Sequence, residues 1–543
     1  MRPKRKRRTH PKFVKRTTTH LNKTKFPERL SNWDRTLATR TPLSAPLQCD
    51  DEICTTIACA ALPLAPTVKL FNLAKLDMPP IDLADLSARG AAATADAIIS
   101  GQTTASAVID HALAAIAAAE PLGAFVSVMS EASRADAAAI DRDITAGKSV
   151  GPLAGVPVAV KDIIDVAGLP TRAGSVTRDK LPPAAKDAFA VARLRAAGAI
   201  VIAKSKTVEY AFGGWGTNVI AGTPMNPFDK AVHRVPGGSS SGSGVAVGAG
   251  LVPLAFGTDT GGSVRLPASW CGCVGYKTSF GLIGRSGVVP LALAFDTIGP
   301  MTRTVRDAAL MGQAMLGLDP DDEATAQAPS LDLVSGLDRG VAGLTIGVLS
   351  LESSIAIDGE VGSAIEAMSQ ALAKSGARVI KITLPETLTA YTLACGDLMA
   401  VEGYYRYGGL ADSEPCLIGA PVAKRMRAGK SLSGVAYFGA VERRHAAIKA
   451  ALAALEGVDA LILPTTPAPA IPVAEVDEAG LPGILTRFVN YLSFCGISVP
   501  VGLSQKGLPL GLQVVARMNA DALALQVASA VEQAAGGPLA LPR

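Results

Sequence analysis

Val252-Pro-Leu-Ala-Phe-Gly257-Thr-Asp259-Thr-Gly261-Gly262-Ser263-Val-Arg265-Leu-Pro267 carries an apolar strand, Val252–Phe256, straight into a turn of two glycines and a serine. Two successive glycines accept positive φ at little cost, so consecutive backbone N–H groups can converge on one point. Such a nest suits a developing oxyanion, and a serine closing it is placed for nucleophilic attack with its own N–H among the donors. Read alone, the same residues are equally a tight turn ahead of a helix.

Two stretches upstream sharpen the reading. Gly155-Val-Pro-Val-Ala-Val-Lys161-Asp162 ends an apolar strand, Val156–Val160, on a lysine. A lysine serves a serine as base only when neutral, which requires burial or nearby positive charge to lower its pKa. Its place at the end of an apolar strand fits a desolvated position; the competing reading is an ion pair with Asp162 or Asp165. Pro236-Gly-Gly-Ser239-Ser240-Ser241-Gly242 supplies hydroxyls that donate to one partner while accepting from another, and so can relay a proton between lysine and nucleophile. Alone, that run is also a helix N-cap or a phosphate loop, although it lacks the Gly-Lys-Ser/Thr ending of a P-loop. Gly238-Ser-Ser240-Ser-Gly242 formally matches the G-x-S-x-G nucleophile elbow. The only histidine after it, His445, follows Glu442-Arg443-Arg444 in a polar helical segment and reads as a surface residue.

Around these motifs, short apolar runs alternate with helical periodicity. Helices are expected over Leu86–Ser100, Thr104–Ala119 and Ala132–Ala146, with Thr103-Thr104 and Ser130 as N-caps, and over Ala188–Ala197. Strands are expected at 199–203, 344–349, 378–382, 460–463, 498–503 and 510–515, and further helices at 362–375, 433–455 and 522–534, the last capped by Asp521. Gly242–Gly250 is almost wholly Ser, Gly, Val and Ala, so a helix there requires deep burial to offset poor propensity. The alternation implies an α/β fold with a mostly parallel sheet covered on both faces.

The chain has 543 residues, 49% hydrophobic and 18% charged, enough for a large buried core. Its net charge of +5 is uneven: residues 1–40 carry fourteen Lys or Arg against Glu28 and Asp34, which leaves the remainder near −7. The basic head is a nucleic-acid arm, a disordered tail, or translated sequence upstream of a start at Met78; no aromatic interleaving accompanies it. No stretch reaches membrane-spanning length without polar interruption. Eight cysteines at irregular spacing and five scattered histidines suggest reduced thiols in the cytosol and no metal site. Cys271-Gly-Cys273 reads as small apolar packing rather than a redox pair.

The three motifs, in this order, resemble the amidase signature family, which shows Lys-Asp after an apolar strand, then Gly-Gly-Ser-Ser-x-Gly, then Asp-x-Gly-Gly-Ser-x-Arg-x-Pro. The likeness extends through Asp187–Val191, Glu209–Phe212, Asn226-Pro227, Cys271–Lys277, Asp296–Pro300, Leu463–Pro467 and Gly507–Gln513, and covers residue 80 to the end. It implies a single large domain over 78–543, a mixed, mostly parallel twisted sheet sandwiched between helices, preceded by a separate extension over 1–77. It also implies Ser263 as the acyl-forming nucleophile, Ser239 as a bridging serine on a cis peptide bond, and Lys161 as the base. The amides of Thr260, Gly261, Gly262 and Ser263 would form the oxyanion hole, with Asp259 and Arg265 bracing the loop. Gly214, Trp215, Ser240, Thr465 and Phe494 are candidate substrate contacts. The resemblance implies hydrolysis of a small-molecule linear amide in the cytoplasm, without metal or organic cofactor, without nucleic acid or membrane, by a possible homodimer. The alternative within the same family is the glutaminase component, the A subunit, of a glutamine-dependent tRNA amidotransferase. Tyr210–Asn218 and the triple serine look more like the stand-alone branch.

Overall fold

The computed structural model describes residues 81–542; the basic extension 1–77, with Cys49, Cys54 and Cys59, lies outside the described residues. Apolar runs build one 11-stranded sheet. Its strands are β1 (Phe125–Val128), β2 (Pro157–Lys161), β3 (Ile200–Ser205), β4 (Leu254–Asp259), β5 (Val274–Lys277), β6 (Thr297–Thr302), β7 (Thr345–Leu349), β8 (Arg378–Ile382), β9 (Ala460–Pro464), β10 (Cys495–Leu503) and β11 (Pro509–Ala516). In space they run β1-β3-β2-β4-β6-β5-β10-β11-β9-β7-β8. Every strand expected from the sequence is present, with ends within three residues. β1, β5 and β6 were not anticipated.

The sheet is mixed, as expected, but parallel pairing is confined to two blocks, β3-β2-β4 and β9-β7-β8. The remaining neighbours are antiparallel. The connections explain the difference. A parallel crossover needs about a dozen residues or more, usually helical. Residues 504–508 are too few to cross over between β10 and β11, and residues 278–296, between β5 and β6, contain no helix.

Alternate residues of the inner strands feed different cores. Val158, Val160, Val201, Leu254 and Phe256 pack into one apolar cluster, whereas Ala159, Ile200, Ile202 and Ala255 pack into another. Both faces of the sheet are therefore covered, which is why these strands read as continuous apolar runs rather than as alternating patterns.

Three helix expectations need correction. Leu86–Ser100 is two helices, Leu83–Arg89 and Ala91–Ile99, broken at Gly90, where φ is 99°. Thr104 caps Ala105–Ala118 as expected, but Ser130 lies inside its helix, Ser130–Thr145, without capping it. Asp521 also sits inside its helix. Its buried carboxylate accepts instead from the Tyr276 hydroxyl, the Ser279 amide and the Ser279 hydroxyl, and three buried donors outweigh one exposed cap bond.

The glycine-rich helix, Ser241–Gly248, is wholly buried. A Cβ on Gly242 would lie 2.2 Å from the Ala124 carbonyl oxygen, and one on Gly248 would lie 2.1 Å from that of Cys271. Close backbone approach, not propensity, therefore selects these residues. Cys271 and Cys273 are free and buried, and burial raises both thiols, Cys273 to about 12, which fits packing rather than redox chemistry.

Gly248→Ala is expected to lower stability by about 1–3 kcal/mol through overpacking, although alanine is the better helix former by roughly 1 kcal/mol. A urea midpoint that rises instead would show that the contact with residue 271 relaxes freely.

Candidate active site

Lys161 ends β2 completely buried and aims its Nζ at two hydroxyls: it donates to Ser239 Oγ at 2.8 Å and to Thr258 Oγ1 at 2.8 Å. No carboxylate lies within ion-pairing distance of it among the described residues. The neighbouring Asp162 pairs with Lys204 at 3.0 Å, so the expected competition between a catalytic lysine and a salt bridge is resolved by a second lysine. Burial pushes the Lys161 ammonium down to about 7, against a smaller upward pull from Asp259 and Asp296.

Ser239 follows Gly238 through a cis peptide bond. The segment beside it holds the turn by backbone bonds: Gly237 N donates to Trp215 O at 3.1 Å, and Gly238 N to Gly214 O at 2.8 Å. The next serine faces elsewhere. Ser240 Oγ accepts from Thr258 N at 3.3 Å, and Ser240 N donates to Ser263 O at 3.2 Å, so the residue after Ser239 is tied directly to the backbone of Ser263.

The turn after β4 is organised by Asp259. Its carboxylate accepts from Gly262 N at 2.7 Å, Val264 N at 3.1 Å and Asn490 Nδ2 at 2.9 Å. It is also gripped by Arg265, Nε at 3.1 Å and Nη2 at 3.0 Å. Neither partner has any exposed side-chain surface. Burial alone would raise the Asp259 carboxyl, but the charge and hydrogen bonds of Arg265, together with Lys277 and Asn490, hold it well below the usual carboxylate range. Arg265 then reaches Thr486 O at 3.0 Å, Gln513 Oε1 at 3.1 Å and Asn490 Oδ1 at 2.7 Å. At Gly262 φ is 126°, and a Cβ there would meet Thr486 Oγ1 at 2.2 Å, so only glycine fits.

Of the four amides expected in the oxyanion hole, that of Gly262 donates to Asp259, whereas those of Thr260, Gly261 and Ser263 have no acceptor among the described residues. The Thr260 hydroxyl donates to Asp296 at 2.5 Å, which pins the start of the turn.

Ser263 is 8% exposed, against 0% for Lys161 and Ser239. Its hydroxyl has no hydrogen-bond partner among the described residues. It lines a cleft with Phe212, Gly214, Gly261, Met399, Arg425 and Arg487. Of the expected substrate contacts, only Gly214 lines that cleft. Trp215 stacks on Trp270 with centroids 5.6 Å apart and donates to Asp477 O. Ser240 is buried in the turn, Thr465 is buried against Ser498 at 2.9 Å, and Phe494 lies in the core. His445 is exposed, as its polar context suggested. Thr258, Met399, Arg425 and Arg487 were missed. Thr258 was detectable beside Asp259, but the other three come from distant segments with no local signal.

A family model described as "Amidase" matches residues 107–525. The chain belongs to the amidase signature family. It is 35% identical over 472 residues to the A subunit of the glutamyl-tRNA(Gln) amidotransferase of Koribacter versatilis, a match covering 81% of this chain and 97% of that one. Among solved structures it is similar to the native peptide amidase of Stenotrophomonas maltophilia, with TM-score 0.73, 31% identity, and coverage of 84% and 98%. A chain from a vestigial protein complex bearing on the origins of an s-triazine catabolic enzyme gives TM-score 0.78 at 32% identity, with coverage of 84% and 100%. Amidase signature enzymes of both kinds, hydrolases and amidotransferase subunits, thus share this fold.

Arg265→Met is expected to cost about 3–5 kcal/mol by leaving Asp259 charged and unpaired. The double variant Arg265→Met/Asp259→Asn should lose less than the single change. Urea unfolding of the three proteins checks this; strictly additive losses would contradict a coupled pair.

Proposed function

We propose that this amidase signature enzyme is a free-standing hydrolase of small linear amides, working through Ser263, Ser239 and Lys161. The observation that carries the reading is the buried Lys161, unpaired by any carboxylate among the described residues, pushed down to about 7 and hydrogen-bonded to Ser239. A lysine so placed is substantially neutral near physiological pH and accepts a proton.

In the proposed cycle, Ser263 Oγ attacks the amide carbonyl carbon as its proton passes to Ser239, whose own proton passes to Lys161 Nζ. The oxyanion is held by the amides of Thr260, Gly261 and Ser263; the Gly262 amide serves Asp259 instead. The tetrahedral intermediate collapses with cleavage of the C–N bond, and the proton returns by the same relay to the leaving nitrogen. Water then attacks the acyl-serine ester along the same path and releases the carboxylate. Because Lys161 and Ser239 are fully buried, only Ser263 needs to meet the substrate, which supports a bridging hydroxyl between base and nucleophile.

A second reading, the glutaminase component of a tRNA amidotransferase that draws ammonia from glutamine, is favoured by the 35% identity to the Koribacter protein. The two separate on whether the purified chain, without partner subunits or tRNA, releases ammonia from simple amides. A cytoplasmic setting fits the free thiols Cys271, Cys273, Cys395, Cys416 and Cys495.

Ser263→Ala is expected to abolish ammonia release, and near wild-type turnover by that variant would sink the assignment. Lys161→Arg should lose at least ~10²-fold, because a guanidinium retains its proton at any working pH. The wild-type rate should be low at pH 5–6, where Lys161 is charged, and rise through about 7 to a plateau as the neutral base accumulates. A flat profile with chemistry rate-limiting argues against lysine as the base.

A further inference from the structure

Two arginines face the Ser263 cleft, and they differ in one respect. Arg425 is neutralised by Glu478 and also donates to Phe212 O at 3.0 Å. Arg487 has no carboxylate partner among the described residues. The only hydrogen bond its guanidinium makes there is a long one, Nη1 to Thr392 O at 3.5 Å. The groups that bear on its charge are the neutral Cys395 thiol, itself raised by burial to about 11, and the like-charged Arg425. Arg487 is only half-buried, so its guanidinium faces the cleft with no carboxylate to neutralise it and is open to an anionic ligand.

The position of Arg487 is nevertheless constructed. Cβ atoms on three glycines from three separate segments would press on it. One on Gly261 would sit 3.2 Å from its Cγ, one on Gly396 3.2 Å from its Nη1, and one on Gly483 3.3 Å from its Cγ. The glycines leave a slot in which the side chain lies against the oxyanion turn. The same cleft offers Phe212, Leu266, Met399 and Pro482 as apolar wall, and no Asp or Glu among the described residues.

We infer that Arg487 is a substrate-binding residue that receives a carboxylate on the acyl part of the substrate, so that the preferred substrates are half-amides of short dicarboxylic acids. The inference rests on the proposed hydrolase reading and narrows its substrate class. The planar guanidinium suits bidentate recognition of a carboxylate, and the apolar wall takes the methylenes between the two carbonyl carbons. The reaction balances as half-amide anion plus water giving dicarboxylate dianion plus ammonium: the C–N bond breaks, the C–O bond to water's oxygen forms, water's protons end on the leaving nitrogen, and no oxidant or further reactant is needed. No Asp or Glu lines the cleft among the described residues, and Glu478 is already engaged by Arg425, which disfavours glutamine, whose α-ammonium would meet the unpaired Arg487. An alternative role for Arg487, stabilising the oxyanion, would accelerate all amides alike.

The test uses the full chain. kcat/KM is measured for malonamate and succinamate against their neutral counterparts propanamide and butanamide, and against glutamine, in wild type, Arg487→Met and Arg487→Lys. Binding of malonate and succinate to the Ser263→Ala protein, with and without Arg487→Met, is followed by calorimetry. Wild type should prefer the half-amides by about 10–100-fold, the worth of a charge-assisted hydrogen-bonded pair. That ratio should collapse in Arg487→Met and be partly kept in Arg487→Lys. Dicarboxylate binding to Ser263→Ala should weaken by a similar factor when Arg487 is replaced.

Serine-dependent hydrolysis with neutral amides or glutamine preferred overturns the inference while leaving the hydrolase reading intact. Equal losses on anionic and neutral amides in Arg487→Met overturn it in favour of an oxyanion role. Dicarboxylate binding that depends on Arg487, with no amide hydrolysed, supports the anion site and sinks the hydrolase reading. The wild-type preference and the binding to Ser263→Ala decide the matter even if Arg487→Met does not fold.

Discussion

A carboxylate and a guanidinium, neither with any exposed side-chain surface, hold the Ser263 turn in place. Asp259 closes β4, fixes the Gly262 and Val264 amides and is gripped from two sides by Arg265. Arg265 in turn reaches Gln513 on β11 and the Thr486 carbonyl. One buried ion pair therefore joins the end of a central strand, the nucleophile's turn and a distant segment that lines the cleft. Such a pair adds little to net stability compared with apolar packing, but losing one partner is severe. Its value here lies in geometry: the turn has few alternatives while the pair is intact.

The acid of that pair also bears on Lys161, which is lowered by burial and raised by Asp259 and Asp296. Burial outweighs the pull of the two carboxylates and brings the ammonium down to about 7. Burial raises the Asp296 carboxyl, while the Thr260 hydroxyl and the Leu291 and Ala292 amides satisfy its oxygens. Small residues make the burial possible. The Ser241–Gly248 helix approaches neighbouring backbones at distances that forbid a Cβ at Gly242 and Gly248, which closes the space behind Ser239.

Much of this site was legible in the sequence, for a physical reason. Lys161, Ser239 and Ser263 each sit where a strand gives way to a turn, and strand ends, glycine pairs and serine runs are local signals. The expected relation between Lys161 and the serine run appears as a 2.8 Å hydrogen bond. Expected substrate contacts fared worse. Trp215, Thr465 and Phe494 were chosen for proximity to motifs and for side-chain type, yet whether an aromatic residue lines a cleft or fills a core depends on what covers it. Trp270 covers Trp215, and the core encloses Phe494. Arg487 was invisible for the converse reason, since it lies more than two hundred residues from the turn it touches and carries no motif.

The sequence by itself determined most of the strand and helix segments, eight of the eleven strands among them, and the order of the three motifs, because hydrophobic period and turn chemistry are properties of neighbouring residues. Tertiary structure alone decided three things. It set the antiparallel character of the central sheet, which follows from connection lengths acting together. It chose which aspartate neutralises which cation: Asp162 goes to Lys204 and Asp259 to Arg265, leaving Lys161 to the two hydroxyls. And it determined which side chains border the cleft. Pairing of charges and the lining of a cavity are set by distances between segments remote in the chain, and no local pattern encodes those distances.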